Sequence, residues 1–328
     1  MANFAIDLHG GDFGPSVLIP ACFRFFRDNP DDQGILVGDL KQFRSLVQHC
    51  PANIQWLDRP PLEGFSAKPS SLLRHESHSS IEACFKLVQK KQADALISAE
   101  HTGVLLVLTM KYGSIHPHLK RPVLASFIPT KAKPAIMLDL GASYSANKNQ
   151  LLAFSAIGKG LASNPLPVLK LLNVGVENFK GPIEIQAAHK ALTQWDDIDY
   201  QGFVEACDIY SGTQDIIVCD GFTGNAVIKS SEGAMGFAYS ALKARLNNSL
   251  INRLLGLWLR GELKSAMKIL NPAECNGAIV AGSDMTILKS HGNAKERAFR
   301  KAIERAARFH DEQASARVLA QLDKLSLD

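Results

Sequence analysis

Short apolar runs alternate with longer stretches of helix-period character from one end of the chain to the other. The runs Phe4–Leu8, Ile35–Val37, Ile54–Leu57, Ala95–Ser98, Val123–Phe127, Ile136–Asp139, Val168–Asn173, Ile216–Cys219 and Thr286–Lys289 predict β-strands. Most are followed by a glycine-bearing polar loop and then a helical stretch. That rhythm predicts an α/β fold, doubly wound, with a mostly parallel sheet covered by helices on both faces. No internal repeat, low-complexity tract or flexible linker interrupts it, so residues 1–328 read as a single domain. The longest loop expected is the proline-containing stretch Asp58–Ser70.

In such folds ligands bind beyond the carboxyl ends of the strands. The unusual polar residues of this chain gather there. DLHGGDFGP (Asp7–Pro15) follows the first run, AEHTG (Ala99–Gly103) follows Ser98, and DLGAS spans Asp139–Ser143. VGVENFKG with Glu177 and Lys180 follows Asn173, DGFTGN (Asp220–Asn225) follows Cys219, and KSHGNA (Lys289–Ala294) ends the last run. Any one loop is explained by turn glycines and helix caps. Six together predict convergence on one site.

Composition narrows the chemistry. Mean hydropathy is near zero, and no stretch of about 18 apolar residues reads as a membrane span. Met1–Leu8 passes directly into a strand pattern, without the basic and long apolar segments of a secretory leader, which points to a cytoplasmic protein. The six cysteines, Cys22, Cys50, Cys84, Cys207, Cys219 and Cys275, form no C-x-x-C pair and read as small hydrophobes in a reducing compartment. Cys219 beside DGFTGN is a minor nucleophile candidate, with no histidine following at suggestive spacing. The net charge of +4 is too mild to argue for nucleic acid. Its distribution says more: Lys243–Lys268 and Lys289–Arg308 are basic clusters that suit solvent, an acidic protein partner or an anionic membrane.

Several common sites are missing. The chain has no G-x-x-x-x-G-K-[ST] and no G-x-S-x-G, and HESH (His75–His78) lacks zinc-helix spacing. GKGLAS near Gly158 lies in a helical pattern rather than after a strand. What remains is a set of loop amides, a lysine, and amide and hydroxyl side chains, which suits an oxyanion and a carbonyl. Lys180 offers a point charge for phosphate or a solvated surface cation. Asn225 offers a carbonyl donor or a helix cap.

At these loops the sequence resembles the bacterial acyl-ACP:phosphate acyltransferases, the PlsX family. The resemblance runs nearly the whole chain, through SAEHTG, RPVLASFIPT (Arg121–Thr130), LDLGAS, LLNVGVENFKG, VCDGFTGN, NPAECNGA (Asn271–Ala278) and KSHGNA. It implies a fold like the phosphate acetyltransferases and the isocitrate/isopropylmalate dehydrogenases, with a helical protrusion within residues 240–270. It implies transfer of a fatty acyl group from acyl carrier protein to orthophosphate, giving an acyl phosphate for phospholipid synthesis. No cofactor and no metal are implied, and the members are homodimers. A thioester and an acyl phosphate are both activated acyl groups, so the exchange needs neither ATP nor a covalent enzyme nucleophile. Catalysis can rest on positioning and charge.

Residue by residue, the resemblance carries the catalytic roles to Lys180, for phosphate, and Asn225, for the thioester carbonyl. Gly11, Asp12, Ser98, His101, Thr102, Asp139, Asn173, Glu177, Asp220, Thr223, Lys289 and His291 are expected to bind substrate. The chain departs from the family's S-A-G-N-T-G at Glu100 and His101, and from D-x-G-A-N at Ser143. Glu100 would repel phosphate unless turned away or paired; His101 could take over as a donor.

The segment Leu246–Leu259 is apolar at Leu250, Leu254, Leu255 and Trp258, with Arg253 and Arg260 nearby. It packs in a core or dimer interface, or it lies on a membrane surface, as a protruding helical region does in the similar family. Peripheral membrane contact would serve hand-over to a membrane glycerol-3-phosphate acyltransferase. Two other functions compete: a phosphate acetyl- or butyryltransferase using acyl-CoA, and a non-catalytic paralogue that binds a carrier protein or a membrane.

Overall fold

The structure, a computed structural model, describes residues 1–43, 47, 50–64, 69–246, 248, 261 and 275–326. Leu250, Leu254, Leu255 and Trp258, with most of the expected protrusion, lie outside the described residues. No helix among the described residues is long and apolar enough to cross a membrane.

Eleven strands join in one sheet among the described residues. They are β1 Asn3–Asp7, β2 Gln33–Gly38, β3 Ile54–Asp58, β4 Ala95–Ser98, β5 Val123–Ile128, β6 Ala135–Leu138, β7 Val168–Leu172, β8 Asp199–Val204, β9 Ile216–Val218, β10 Ala278–Ala281 and β11 Thr286–Lys289. Their order is β3-β2-β1-β4-β11-β10-β5-β6-β9-β7-β8. All nine sequence-predicted strands are present, and the sheet is mostly parallel. Two strands went unread. β8 carries Asp199, Gln201 and a positive-φ Gly202 and, among the described residues, pairs only with β7 at the edge of the sheet, where no apolar run is required. β10 is four residues long and sits inside what reads as a loop.

The two outer blocks run in opposite directions. β3, β2, β1, β4 and β11 are mutually parallel, as are β6, β9, β7 and β8. Antiparallel ladders β11–β10, β10–β5 and β5–β6 join them. Register carries across this seam: Leu288 pairs Ile279, Ile279 pairs Ala125, and Ala125 pairs Leu138. Lys289 and Asp139 therefore each lie one residue past a common level, leaving in opposite directions. At the usual rise per residue their separation along the strands is roughly 7 Å.

One face is covered by α1 Pro15–Asp28, α4 Lys148–Leu161, α5 Ile183–Leu192, α7 Glu296–Asp311 and α8 Ala314–Asp323. The other carries α2 Ser80–Gln89 and α3 Thr102–Tyr112 over the first block. α6, Gly221–Leu246, lies on that face of the second block, where Val227 and Ile228 meet Met137, Leu172 and Ile217. Spacing explains the helices. In α7, Ala298, Phe299, Ala302, Ile303, Ala306 and Phe309 form one buried stripe. In α1, Leu18, Ile19, Cys22, Phe25 and Phe26 do the same behind Pro15 at the first turn. Each fully buried large side chain contributes about 1.5–3 kcal/mol relative to exposure. α4, which contains GKGLAS through Leu161, starts from an Asn147–Gln150 capping box.

Close approach of α4 and α8 depends on Gly160. A Cβ there would lie 2.6 Å from the Val318 Cα and 2.9 Å from its backbone nitrogen. Gly160→Ala is expected to lose about 2 kcal/mol despite its better helix propensity, because backbone atoms cannot step aside. A lower midpoint in denaturant unfolding checks this; an unchanged midpoint would contradict the packing of α8.

Candidate active site

The site is built from the loops at the seam. Asp7 at the end of β1 is fully buried and accepts hydrogen bonds from Ser80 Oγ and Ser98 Oγ, each at 2.7 Å. Ser98 Oγ in turn accepts from the Glu100 N–H at 3.0 Å, which turns the loop after β4 toward α3. Ser290 N–H donates to Ser98 O at 2.8 Å, and Asp12 N–H donates to Gly292 O at 2.7 Å. Gly11, at φ +86°, leaves room for this crossing; a side chain there would strike Gly292 O at 2.7 Å. The loops after β1, β4 and β11 are thus tied into one unit.

The second block has its own clasp. Asp139, fully buried, accepts from Leu124 N–H (3.2 Å), Ala142 N–H (3.1 Å), Ser143 N–H (2.7 Å) and Ser143 Oγ (2.7 Å). Burial raises its pKa against the pull of these donors. Ser143 Oγ accepts from Gly221 N–H at 3.0 Å, so the loop after β6 fixes the start of α6. Asp220 caps that helix, accepting from Thr223 N–H (2.9 Å) and Thr223 Oγ1 (2.7 Å). Asn225 is therefore not the cap. Its exposed side chain stands near the start of α6, beside Gly141.

Between α3 and α6 lies an open cavity of 160 Å³. Leu124, Phe127, Ile128, Pro129, Leu140, Ile228 and Met235 make its walls largely apolar. Thr102, Asn225, Lys229, Glu232, Lys289 and His291 supply the polar atoms. Burial and the charge of Lys229 pull the Lys289 ammonium down to about 8, with Glu100 pulling the other way. His291 is lowered first by burial and then by Lys289. Lys229 Nζ pairs with Glu232 at 2.8 Å. A second, polar cavity of 700 Å³ lies alongside, lined by Asp12, Asn276, Gly292, Asn293, Lys295 and Arg297, and again by Lys229, Glu232 and His291.

An apolar wall with an exposed amide, an exposed Lys229 and a largely buried Lys289 suits an acyl carbonyl beside an anion. The sequence profile of the fatty acid synthesis protein family matches residues 2–317. The chain belongs to that family. It is 37% identical over 98% of each chain to a phosphate acyltransferase of Moritella marina. It is 35% identical to one of Shewanella loihica, covering 99% of this chain and 98% of the relative. The fold resembles a phosphotransacetylase from Streptococcus pyogenes (TM-score 0.58, 13% identity, 94% of each chain). It also resembles the EutD phosphotransacetylase from Staphylococcus aureus (TM-score 0.56, 12% identity, 99% of this chain and 94% of that one).

Within this member of the family, the expected site residues separate into groups. Thr102, Asn225, Lys289 and His291 line the apolar cavity, and Asp12 lines its polar neighbour. Ser98, Asp139, Asp220 and Thr223 hold the loops together. The loop after β7 lines neither cavity. There Lys180 Nζ pairs with Glu177 at 2.8 Å, about half exposed, and that bond lowers the Glu177 carboxyl. Asn173 Nδ2 donates to Lys180 O at 3.0 Å, leaving its buried Oδ1 without a partner. His101 is exposed, and its Nδ1 accepts from Gly103 N–H at 3.1 Å, capping α3 rather than donating into the cavity. Glu100 accepts from His101 N–H at 2.7 Å, and burial raises its pKa.

Lys229 and Glu232 were missed by sequence reading. They lie four and seven residues past Asn225, the spacing of one helix face, which was the available signal. Cys219 is buried beside Asp139, and burial pushes its thiol well above its ordinary value, which removes its thiolate character. Removing the Asp139 carboxylate strands four donors. Asp139→Ala is expected to cost about 3 kcal/mol in a denaturant titration; a wild-type midpoint would mean that water replaces the carboxylate without loss.

Proposed function

We propose that this chain transfers a fatty acyl group from an acyl carrier protein thioester to orthophosphate, giving an acyl phosphate for phospholipid synthesis. The observation that carries the reading is the apolar cavity lined by both Asn225 and Lys289. Phosphate acyltransferase relatives over nearly the full length support it.

The reaction forms one bond and breaks one. An oxygen of hydrogen phosphate attacks the thioester carbonyl carbon, a C–O bond forms, and the C–S bond breaks with its electron pair on sulfur. The proton that hydrogen phosphate gives up ends on the departing thiol. Asn225 donates its amide N–H to the carbonyl oxygen as negative charge develops there. Lys180, at the carboxyl end of β7 beside the β9 strand that leads to Asn225, is proposed to neutralise phosphate once released from Glu177. Asn225→Ala is expected to lower kcat roughly a hundredfold, and Lys180→Ala to raise the phosphate KM. The assay is acyl hydroxamate formation from acyl carrier protein thioester, phosphate and hydroxylamine. Turnover with short acyl-CoA alone would replace this reading with an acetyl- or butyryltransferase.

The proposal includes a homodimer and hand-over of product to a membrane glycerol-3-phosphate acyltransferase. The apolar, basic-flanked stretch Leu246–Leu259 supports membrane contact. For the dimer the support is α6, a 26-residue helix whose buried residues are Gly221 and Gly224. It presents Phe222 and Phe237, 68% and 78% exposed, to solvent, with Phe179 and Tyr144 also bare. Light scattering is expected to give twice the chain mass, and Phe237→Glu to shift it toward the monomer; a monomeric wild type would remove the dimer.

A further inference from the structure

We infer that the α4 and α7 face of the sheet carries an anion site apart from the acyl cavity, where Arg305 takes an organic phosphate monoester. The binding does not rest on the acyl-transfer reading.

Lys301, Arg305 and Arg308 fall at positions i, i+4 and i+7 of α7, so they share one helix face. They border a cavity of 810 Å³, closed on its other sides by the β5–β6 turn at Lys133 and Pro134 and by Ser163 and Asn164 after α4. Small-molecule cavities run from about 300 to 1,000 Å³, so the space is ligand-sized. Phe127, Pro134, Ile136 and Phe309 give it an apolar wall for an organic body.

Arg305 is the cation without a counter-charge. It is mostly buried, and its guanidinium carbon lies 4.3 Å from the centre of the Phe127 ring. Gly277, at φ +99°, lets α7 come this close to the start of β10; a Cβ there would lie 3.1 Å from the Ala302 Cα. Among the described residues Arg305 makes one long hydrogen bond, from Nη1 to Gly277 O at 3.5 Å, and no carboxylate pairs with it. The two carboxylates of the cavity are engaged elsewhere. Glu304 accepts from Arg300 Nε at 2.9 Å and Lys301 Nζ at 2.6 Å. Asp215 accepts from Val168 N–H at 2.9 Å and Asn164 Nδ2 at 3.2 Å. Arg308 is held along the rim by Glu312 at 2.8 Å and Ser163 Oγ at 3.2 Å.

A guanidinium removed from water without a partner is costly, and its fork of donors matches two oxygens of one anion. Burial lowers Arg305 to about 10, which leaves it charged at neutral pH. Lys133, exposed on the facing turn, supplies a second cation, so a dianion is favoured over a monocarboxylate. That turn is braced by Thr130 Oγ1 donating to Lys133 O at 2.6 Å. Phe127 and Cys275 also line the apolar cavity. An anion that draws the guanidinium off the Phe127 ring therefore alters a wall of the acyl site. This coupling, unlike the binding, depends on the acyl-transfer reading.

The test is calorimetric titration of phenyl phosphate into the full-length protein and into Arg305→Met, Arg305→Lys, Lys133→Met and Lys180→Ala, each checked for fold by circular dichroism. Both Arg305 variants are expected to weaken binding about tenfold or more, and Lys180→Ala to leave it within about twofold. Lys133→Met should weaken it less than Arg305→Met does. Benzoate, with the same ring and a single charge, should bind the wild type at least about tenfold more weakly. Flotation with phosphatidate vesicles distinguishes a lipid headgroup from a soluble monoester: flotation lost in Arg305→Met assigns the monoester to a lipid, and flotation unmoved by the variant assigns it to a soluble compound. In the hydroxamate assay, saturating phenyl phosphate should shift the wild-type acyl-donor KM about twofold or more and leave that of Arg305→Met unmoved. Binding without that shift would overturn the coupling and leave the site. Phenyl phosphate binding that survives both Arg305 variants, or that is lost only in Lys180→Ala, would overturn the site. So would a wild type that binds no phenyl phosphate while Arg305→Met raises the acyl-donor KM, which would give the groove to the carrier protein.

Discussion

The structure depends on the antiparallel seam at the middle of the sheet. Two parallel blocks that run in opposite directions should place their ligand-binding ends at opposite edges, far apart. Here both blocks stop at the same level, as the register from Leu288 through Ile279 and Ala125 to Leu138 shows. Their carboxyl ends overlap across three ladders instead of diverging. Loops from the first block, carrying Thr102, Lys289 and His291, thereby share a cavity with Leu140 and the helix that carries Asn225.

Each side of the seam is secured by a buried carboxylate used as a structural acceptor. Asp7 gathers hydroxyls from Ser80 and Ser98, and Asp139 gathers amides and a hydroxyl around the start of α6. Buried acceptors of this kind are stable because every donor they face would otherwise be unsatisfied. Between these braced walls Lys229 pairs with Glu232 at 2.8 Å, while Lys289 Nζ donates to Ser290 O. The same walls explain how the chain tolerates Glu100. Its carboxylate is turned to the His101 N–H, and burial favours its neutral form, so the repulsion feared for an anion site is weakened.

α6 links the fold to the chemistry in a second way. A helix that buries little beyond two glycines gains scant stability from its own domain. Its exposed aromatic residues supply what a partner surface would cover. The same helix carries Asn225, Lys229 and Glu232 to the cavity.

Much of this was legible in the chain before any coordinates. Short continuous apolar runs, followed by glycine loops, marked nine strands and the α/β class, because burying a strand on both faces demands an apolar run. β8 and β10 escaped because an edge strand and a four-residue strand do not make that demand. The loops SAEHTG, DGFTGN and KSHGNA stood out because they follow the carboxyl ends of strands, where ligands bind in such folds. Residue type alone could not say which of those side chains point into a cavity and which merely tie loops. His101 caps a helix, Ser98 and Asp139 brace, and Lys180 pairs with Glu177 outside both cavities. Lys229 and Glu232, ordinary on an exposed helix, acquire meaning through Lys289 and His291. Local sequence determined the elements and their caps, which depend on neighbours along the chain. Tertiary structure decided the site, because its residues come from separate parts of the chain that meet only when opposite-running strands end at one level.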